Sequence, residues 1–273
     1  MIKDFLIRAT SLALGKYNHI PTRLLSEQAG RDNALALYLS LLIVNYKYNL
    51  VTVGGGRDGS YDIPLEAKHL DVLISPGIGE SMSFELDLLG TIGHIYMIDK
   101  DCIFDISKQK KITYIPKYLV SAGLADDSSV SIPEILDGCR GTSIMLQMDI
   151  EGSEWSILGD IPDSELHSIS CLVIELHGLS LMWNYYVGYH AQKTISKLLR
   201  VFNVAYVKAN SAGSSFAVNG LLLPELLEIT FVNKTMCSDW EHAEISKAND
   251  VIYDSLDISQ KIKSLLNQIS FRG

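Results

Sequence analysis

Residues 71–100, DVLISPGIGESMSFELDLLGTIGHIYMIDK, hold the stretch that decides the fold. A short apolar run, Val72-Leu73-Ile74, breaks at Ser75-Pro76-Gly77-Ile78-Gly79. Phe84, Leu86, Leu88 and Leu89 then recur as in a helix, and a second apolar run, Ile95-Tyr96-Met97-Ile98, ends on Asp99. Strand, glycine turn, helix, strand, acid is the first half of a nucleotide-binding α/β sheet. Glycine lets the backbone come close to a ligand because no Cβ stands in the way. An acid at the tip of the second strand is placed to accept hydrogen bonds from ribose hydroxyls.

The same residues discriminate among nucleotides. A dinucleotide fingerprint calls for glycine or alanine at its third position, where this chain has Met82. Glu80 stands where a pyrophosphate would meet the helix N-terminus, and one anion there repels another. A cofactor with a ribose, cationic centres and no phosphate fits better. S-adenosylmethionine (SAM), with its sulfonium and ammonium, is such a cofactor. NAD is the weaker alternative. The plain one is that Gly77 and Gly79 only make a tight strand–helix turn.

Downstream, the pattern continues as an alternating α/β chain. Lys111–Pro116 is a third strand, and the loop after it carries Asp126. That acid would reach an adenine amino group or be an ordinary turn acid. Ser131 and Pro133 open a helix to about Cys139 by the cap and first-turn rules. In SIMLQMDIEGSEWSIL, residues 143–158, a buried strand Ile144–Met148 ends in Asp149-Ile150-Glu151-Gly152, and a helix starts at Ser153. In SISCLVIELHGL, residues 168–179, the strand Cys171–Ile174 leads to Glu175 and His177. If these strands are neighbours, Asp149, Glu151, Glu175 and His177 converge on one pocket. Glu151 and Glu154 are equally at home as first-turn acids favoured by the helix dipole, and His177 as a structural histidine. A helix over 191–200, a strand Val201–Lys208, a small-residue loop and a last strand within 224–232 complete the sheet. Two strands joined by a loop rather than a helix imply a closing antiparallel pair.

Ahead of this unit, LVTVGGGRDGSYDIP, residues 50–64, reads as a β-hairpin or a mobile glycine loop. It would serve as a lid or simply join two modules; it lacks the G-K-[ST] of a phosphate loop. Residues 2–14, 21–30 and 32–48 have helical spacing and form an N-terminal extension, 1–49, that packs on the body or on a second subunit. The first of these helices lacks the basic face that a membrane surface prefers. The main domain spans 50–237, and a helical tail, 238–273, packs on it.

With 47% hydrophobic residues, the chain can bury a sizeable core. A formal net charge of −9 argues against nucleic-acid partners, which are held through phosphate neutralisation. Cys102, Cys139, Cys171 and Cys237 show no C-x-x-C pairing, so reduced thiols, a cytoplasmic location and no zinc site are expected. The N-terminus makes a poor signal peptide. Ala34–Val44, the most apolar stretch, is too short for a bilayer span of about 20 residues.

Several blocks together carry a family resemblance: GGGRDGSYDIP, SPGIGESMSFELDL, IYMIDK, MDIEGSEWSIL, LVIELHGL, YVKANSAG and LPELLEITFVNK. In this order, over about residues 50–234, the chain resembles the FkbM-type SAM-dependent methyltransferases. Two departures stand out: Ser60 replaces the second glycine of the usual D-G-G-Y, and Ser211 follows Asn210 where paired asparagines are usual. The resemblance implies a Rossmann-like seven-stranded sheet, parallel except for one strand, and SAM as cofactor. It also implies O-methylation of a sugar hydroxyl in a surface polysaccharide, with a glycan or sugar-nucleotide acceptor. Candidate cofactor-binding residues are Ser75, Gly77, Gly79, Glu80, Asp99, Asp126, Asp149 and Glu151. His177, then Asp149, are the candidate bases, and Asp149 with Glu175 would hold a divalent cation if one assists. The competing classes are an NAD-dependent sugar oxidoreductase and a non-catalytic scaffold of the same fold.

Overall fold

The computed structural model describes residues 48–55, 59–79, 81–105, 109–210, 213–218 and 221–236. The expected N-terminal helices, the C-terminal tail, Glu80 and Cys237 lie outside the described residues. In chain order, a hairpin β1 (Leu50–Val53) and β2 (Tyr61–Pro64) precedes β3 (Val72–Pro76), α1 (Ser83–Leu88), β4 (His94–Ile98) and β5 (Ile112–Ile115). A short parallel pair, β6 (Tyr118–Leu119) and β7 (Ser129–Val130), leads to α2 (Ile132–Asp137). Then follow β8 (Ile144–Met148), α3 (Glu154–Asp160), α4 (Asp163–Leu166), β9 (Ile169–Leu176), α5 (Tyr185–Val201) and β10 (Phe202–Ala209). The hairpin β11 (Ser215–Val218) and β12 (Leu221–Pro224) and the strand β13 (Leu227–Asn233) complete the described strands and α-helices.

Seven of these strands form one sheet, ordered β10-β13-β9-β8-β3-β4-β5. β13 runs antiparallel to both neighbours and every other pairing is parallel, so the expected closing pair is present. This is the Rossmann-like seven-stranded methyltransferase sheet. The chain leaves β3 toward β4 and β5, then returns to β8 on the other side of β3. That reversal places a crevice at the carboxyl ends of β3 and β8.

Side-chain alternation builds two cores, one on each face of the sheet. Val72 and Ile74 of β3, with Leu146, Leu172 and Ile174, bury against α2, α3 and α5. Leu73, with Met145, Cys171 and Val173, faces Phe84 and Leu88 of α1 and Val53, Tyr61 and Ile63 of the hairpin. The β1–β2 hairpin is therefore a packed layer over the second face. The Thr230 hydroxyl on β13 ties it down by donating to the Asp62 carbonyl (2.6 Å). α2 starts as its sequence promises: Ser131 and Glu134 form a capping box, with Pro133 in the first turn. Among the described residues no helix is long and apolar enough to cross a membrane.

Candidate active site

The crevice is closed by contact between two strand ends. Gly77, just past β3, has φ +80°, and a Cβ there would lie 1.7 Å from the carbonyl oxygen of Asp149 at the end of β8. Only glycine allows that approach. Gly79 is also left-handed (φ +56°), with open space where its Cβ would be. Asp99, past β4, pins this turn: its Oδ2 accepts from the Ile78 and Gly79 amides (3.1 and 3.3 Å), and its Oδ1 accepts from the Asp101 amide (2.8 Å). A carboxylate has about four acceptor positions, so one remains for a ribose hydroxyl.

Ser75 is placed differently from the sequence expectation. Its side chain is wholly buried and points into the hairpin-side core, so it offers no hydroxyl to a cofactor. Its Oγ lies 2.5 Å from Glu85 Oε1 and 2.7 Å from Gln147 Oε1. The hydroxyl has one proton, and the amide oxygen can only accept. Ser75 therefore donates to Gln147, and Glu85, as a neutral carboxylic acid, donates to Ser75. Burial pushes the Glu85 pKa up, in agreement, and its Oε2 has no hydrogen-bond partner. The row continues: Gln147 Nε2 donates to the Tyr61 hydroxyl (3.3 Å), which donates to Asp149 Oδ2 (3.2 Å). Burial, then the charges of Asp149 and Glu175, keep the Tyr61 phenol protonated. Five side chains thus line up with every donor aimed toward Asp149.

Asp149 is half-buried at the other end of this row, with its pKa raised to about 6, chiefly by burial, against the opposing pull of His177. Glu151, the next acid, is exposed and is the one non-glycine residue with positive φ (55°) among those described. Glu154 is completely buried at the start of α3. Its Oε1 accepts from the Ile150 and Gly152 amides (2.9 and 3.3 Å) and contacts His177 Nδ1 at 3.1 Å. It is thus a first-turn acid that also orients a site histidine. The backbone of His177 is held too, its carbonyl accepting from Trp155 Nε1 (2.8 Å). His177 Nε2 then faces Glu151 Oε2 at 3.5 Å, Asp149 Oδ1 at 3.8 Å and Glu175 Oε1 at 3.8 Å. The bond to Glu154, with the surrounding carboxylates, raises its pKa to about 9.

Glu175 lies inside β9 rather than beyond it, nearly buried, and accepts from Asn210 Nδ2 (3.1 Å). Beside it in register is Glu228 of β13, which pairs with Lys208 of β10 (3.1 Å). The convergence expected of Asp149, Glu151, Glu175 and His177 is thus present. Asp126 sits in the β6–β7 loop, exposed, with Oδ1 accepting from Ser128 N, Ser128 Oγ and Ser129 Oγ (2.9, 2.8 and 2.7 Å). These bonds hold its pKa at about 2, and one of its oxygens is committed to building the turn. Met82, the residue that replaces the third glycine, is buried in the hairpin-side core.

Sequence reading missed Tyr61, Gln147 and Glu85. The available signal was polarity out of place: Gln147 interrupts a wholly buried strand, and Glu85 sits between the buried Phe84 and the rest of the apolar face of α1.

No family model and no curated protein matches this chain. Solved structures similar to it include the 23S rRNA methyltransferase ErmE, at 10% identity and TM-score 0.37, covering 62% of this chain and 65% of that one. The N-methyltransferase NodS of Bradyrhizobium japonicum, in complex with S-adenosyl-L-homocysteine, covers 83% of this chain and 98% of its own at 12% identity and TM-score 0.34. The structure of a fibrillarin/Nop5p complex is similar at 11% identity and TM-score 0.37, covering 61% of this chain and 73% of that one. The strand order itself, and not these likenesses, identifies the fold.

Proposed function

We propose that the chain is a SAM-dependent methyltransferase that O-methylates a sugar hydroxyl. The observation that carries this is the junction at the crevice: a left-handed Gly77 pressed on the Asp149 carbonyl, with Asp99 fixed beside the turn. SAM would lie over residues 75–79 through their backbone, with Asp99 on a ribose hydroxyl. The buried methionine at position 82 disfavours a dinucleotide. Asp126 retains one oxygen for an adenine amino group. The acid-rich cluster beyond Asp149 suits the cationic end of SAM.

Methyl transfer is an in-line displacement on a carbon that the sulfonium already activates. The protein has to align the acceptor and take up its proton. The sequence points first to His177 as the base, yet with its pKa at about 9 the imidazole is protonated at neutral pH. It would serve as a donor to the acceptor oxygen, and a carboxylate of the cluster, Asp149 or Glu175, would take the proton. A glycan or sugar-nucleotide acceptor and a role in surface polysaccharide synthesis rest on the FkbM resemblance. The same resemblance and the free thiols of Cys102, Cys139 and Cys171 support a cytoplasmic enzyme.

Calorimetric titration of the full chain with SAM and with NAD tests the proposal. Saturable SAM binding, weakened at least about tenfold in Asp99→Ala, is expected, since hydrogen bonds to a charged group contribute about 1.5–3 kcal/mol. NAD binding with no SAM binding would favour the oxidoreductase class; binding of neither would favour the scaffold.

A further inference from the structure

We infer that Asp149, Glu151 and His177 form a divalent-cation site at the mouth of the crevice, for a first-row transition ion of the Mn2+ or Zn2+ kind. One ligand atom from each of the three lies within 4.8 Å of the other two. His177 Nε2 faces oxygens of Glu151, Asp149 and Glu175 at 3.5, 3.8 and 3.8 Å. None of these is a hydrogen bond, and a single N–H could point at only one of the three oxygens. Neighbouring ligands around an ion with bonds of about 2.1–2.4 Å lie about 3.0–3.4 Å apart. The His177 Nε2 contacts to Glu151 and Asp149, at 3.5 and 3.8 Å, therefore need to shorten by less than about one ångström.

The surroundings are built for a ligand histidine. Glu154 Oε1 holds the Nδ1 proton, so Nε2 is the nitrogen that would release its proton to an incoming ion and turn its lone pair to the carboxylates. Glu154 itself is wholly buried, directly behind His177, and its Oε2 has no hydrogen-bond partner. A buried carboxylate of this kind calls for positive charge close by; the His177 imidazolium supplies it without an ion, and an ion on the far side of the imidazole would supply it once Nε2 has lost its proton. Glu151 takes a left-handed backbone (φ 55°) that a non-glycine residue adopts at a cost. Tyr61 holds the second oxygen of Asp149, so that Oδ1 is the one turned to the cluster. Two carboxylates and one imidazole leave coordination positions open, which suits Mn2+, Fe2+ or Zn2+ better than an all-protein Ca2+ cage.

The chemical use of the site rests on the methyltransferase reading. A bound cation would lower the pKa of an acceptor hydroxyl, and Glu175, which is not among the three ligands, would be the carboxylate left to take its proton. The site itself stands apart from that reading. Full-length protein is titrated with Mn2+, followed by electron paramagnetic resonance and calorimetry, and with Zn2+ by calorimetry; SAM binding is measured on the same wild-type sample. The expected result is one ion per chain, with affinity reduced at least about tenfold in both Glu151→Gln and Asp149→Asn. Glu151 is exposed, so its variant folds, and a thermal melt verifies both. No saturable binding of either ion up to about 1 mM, or binding unchanged in both variants, overturns the site. SAM binding without ion binding overturns the site alone. Ion binding without SAM binding leaves the site standing and removes the methyltransferase reading.

Discussion

Replacing Glu85 with glutamine should make the protein more stable at neutral pH, by an amount that depends on pH. Glu85 donates to Ser75 as a neutral acid, because the single Ser75 proton is committed to Gln147. Its folded pKa is raised by burial above 4.5. The favourable contribution of the neutral acid is complete below the unfolded value of 4.5 and is lost as pH rises toward the folded one. Over that window wild-type stability falls by about 1.4 kcal/mol per pH unit from this group. Glutamine does not titrate, and its amide N–H can donate to Ser75 in place of the acid. The stability of Glu85→Gln minus that of wild type should therefore climb at about 1.4 kcal/mol per pH unit above pH 4.5 and level off at the folded pKa. In a chain of this size that is about 3–6 °C of melting temperature per unit. Urea and thermal unfolding of both proteins at half-unit steps from pH 4 to 8 would measure it. Parallel pH curves, or a variant about 2 kcal/mol less stable throughout, would refute a protonated Glu85 and the direction of the whole hydrogen-bond row.

Gly77→Ala should abolish SAM binding and destabilise the fold, because its Cβ would collide with the Asp149 carbonyl at 1.7 Å. Gly79→Ala, with nothing within 4 Å, should cost only the left-handed backbone penalty of about 1–2 kcal/mol; calorimetry and urea melts separate the two. Tyr61→Phe strips Asp149 of a donor and leaves Gln147 Nε2 buried without a partner, so urea denaturation should show a loss of about 1–3 kcal/mol. Ser131→Ala breaks the α2 capping box and should cost about 0.5–2 kcal/mol in the same assay, with no effect on SAM affinity.

The sheet was legible where burial is uniform. β8 falls on Ile144–Met148, as expected, because an apolar run broken only by Gln147 between Ser143 and Asp149 admits one assignment. β9 is longer than its apolar run, Cys171–Ile174, since Ser170 and Glu175 are polar residues buried inside the strand. α5 begins at Tyr185 rather than 191, because its first turn, YYVG, carries no clear apolar spacing. The β11–β12 hairpin was hidden in what looked like a small-residue loop. At the site, the strand-tip acids and His177 were visible because their positions follow from the sheet. The row through Tyr61 was not: its partners lie 86 and 88 residues away in sequence, and no local pattern joins them. The pKa of His177 was likewise beyond reach, since it depends on Glu154 folding back beneath the imidazole.

The central claim is that SAM is held at the β3–β8 crevice, and a crystal structure with S-adenosyl-L-homocysteine tests it most directly. The account predicts a ribose hydroxyl within hydrogen-bonding reach of the Asp99 carboxylate and the sulfur facing Asp149 and His177. A ligand bound elsewhere, or a ribose that leaves Asp99 on the Ile78 and Gly79 amides alone, would contradict it.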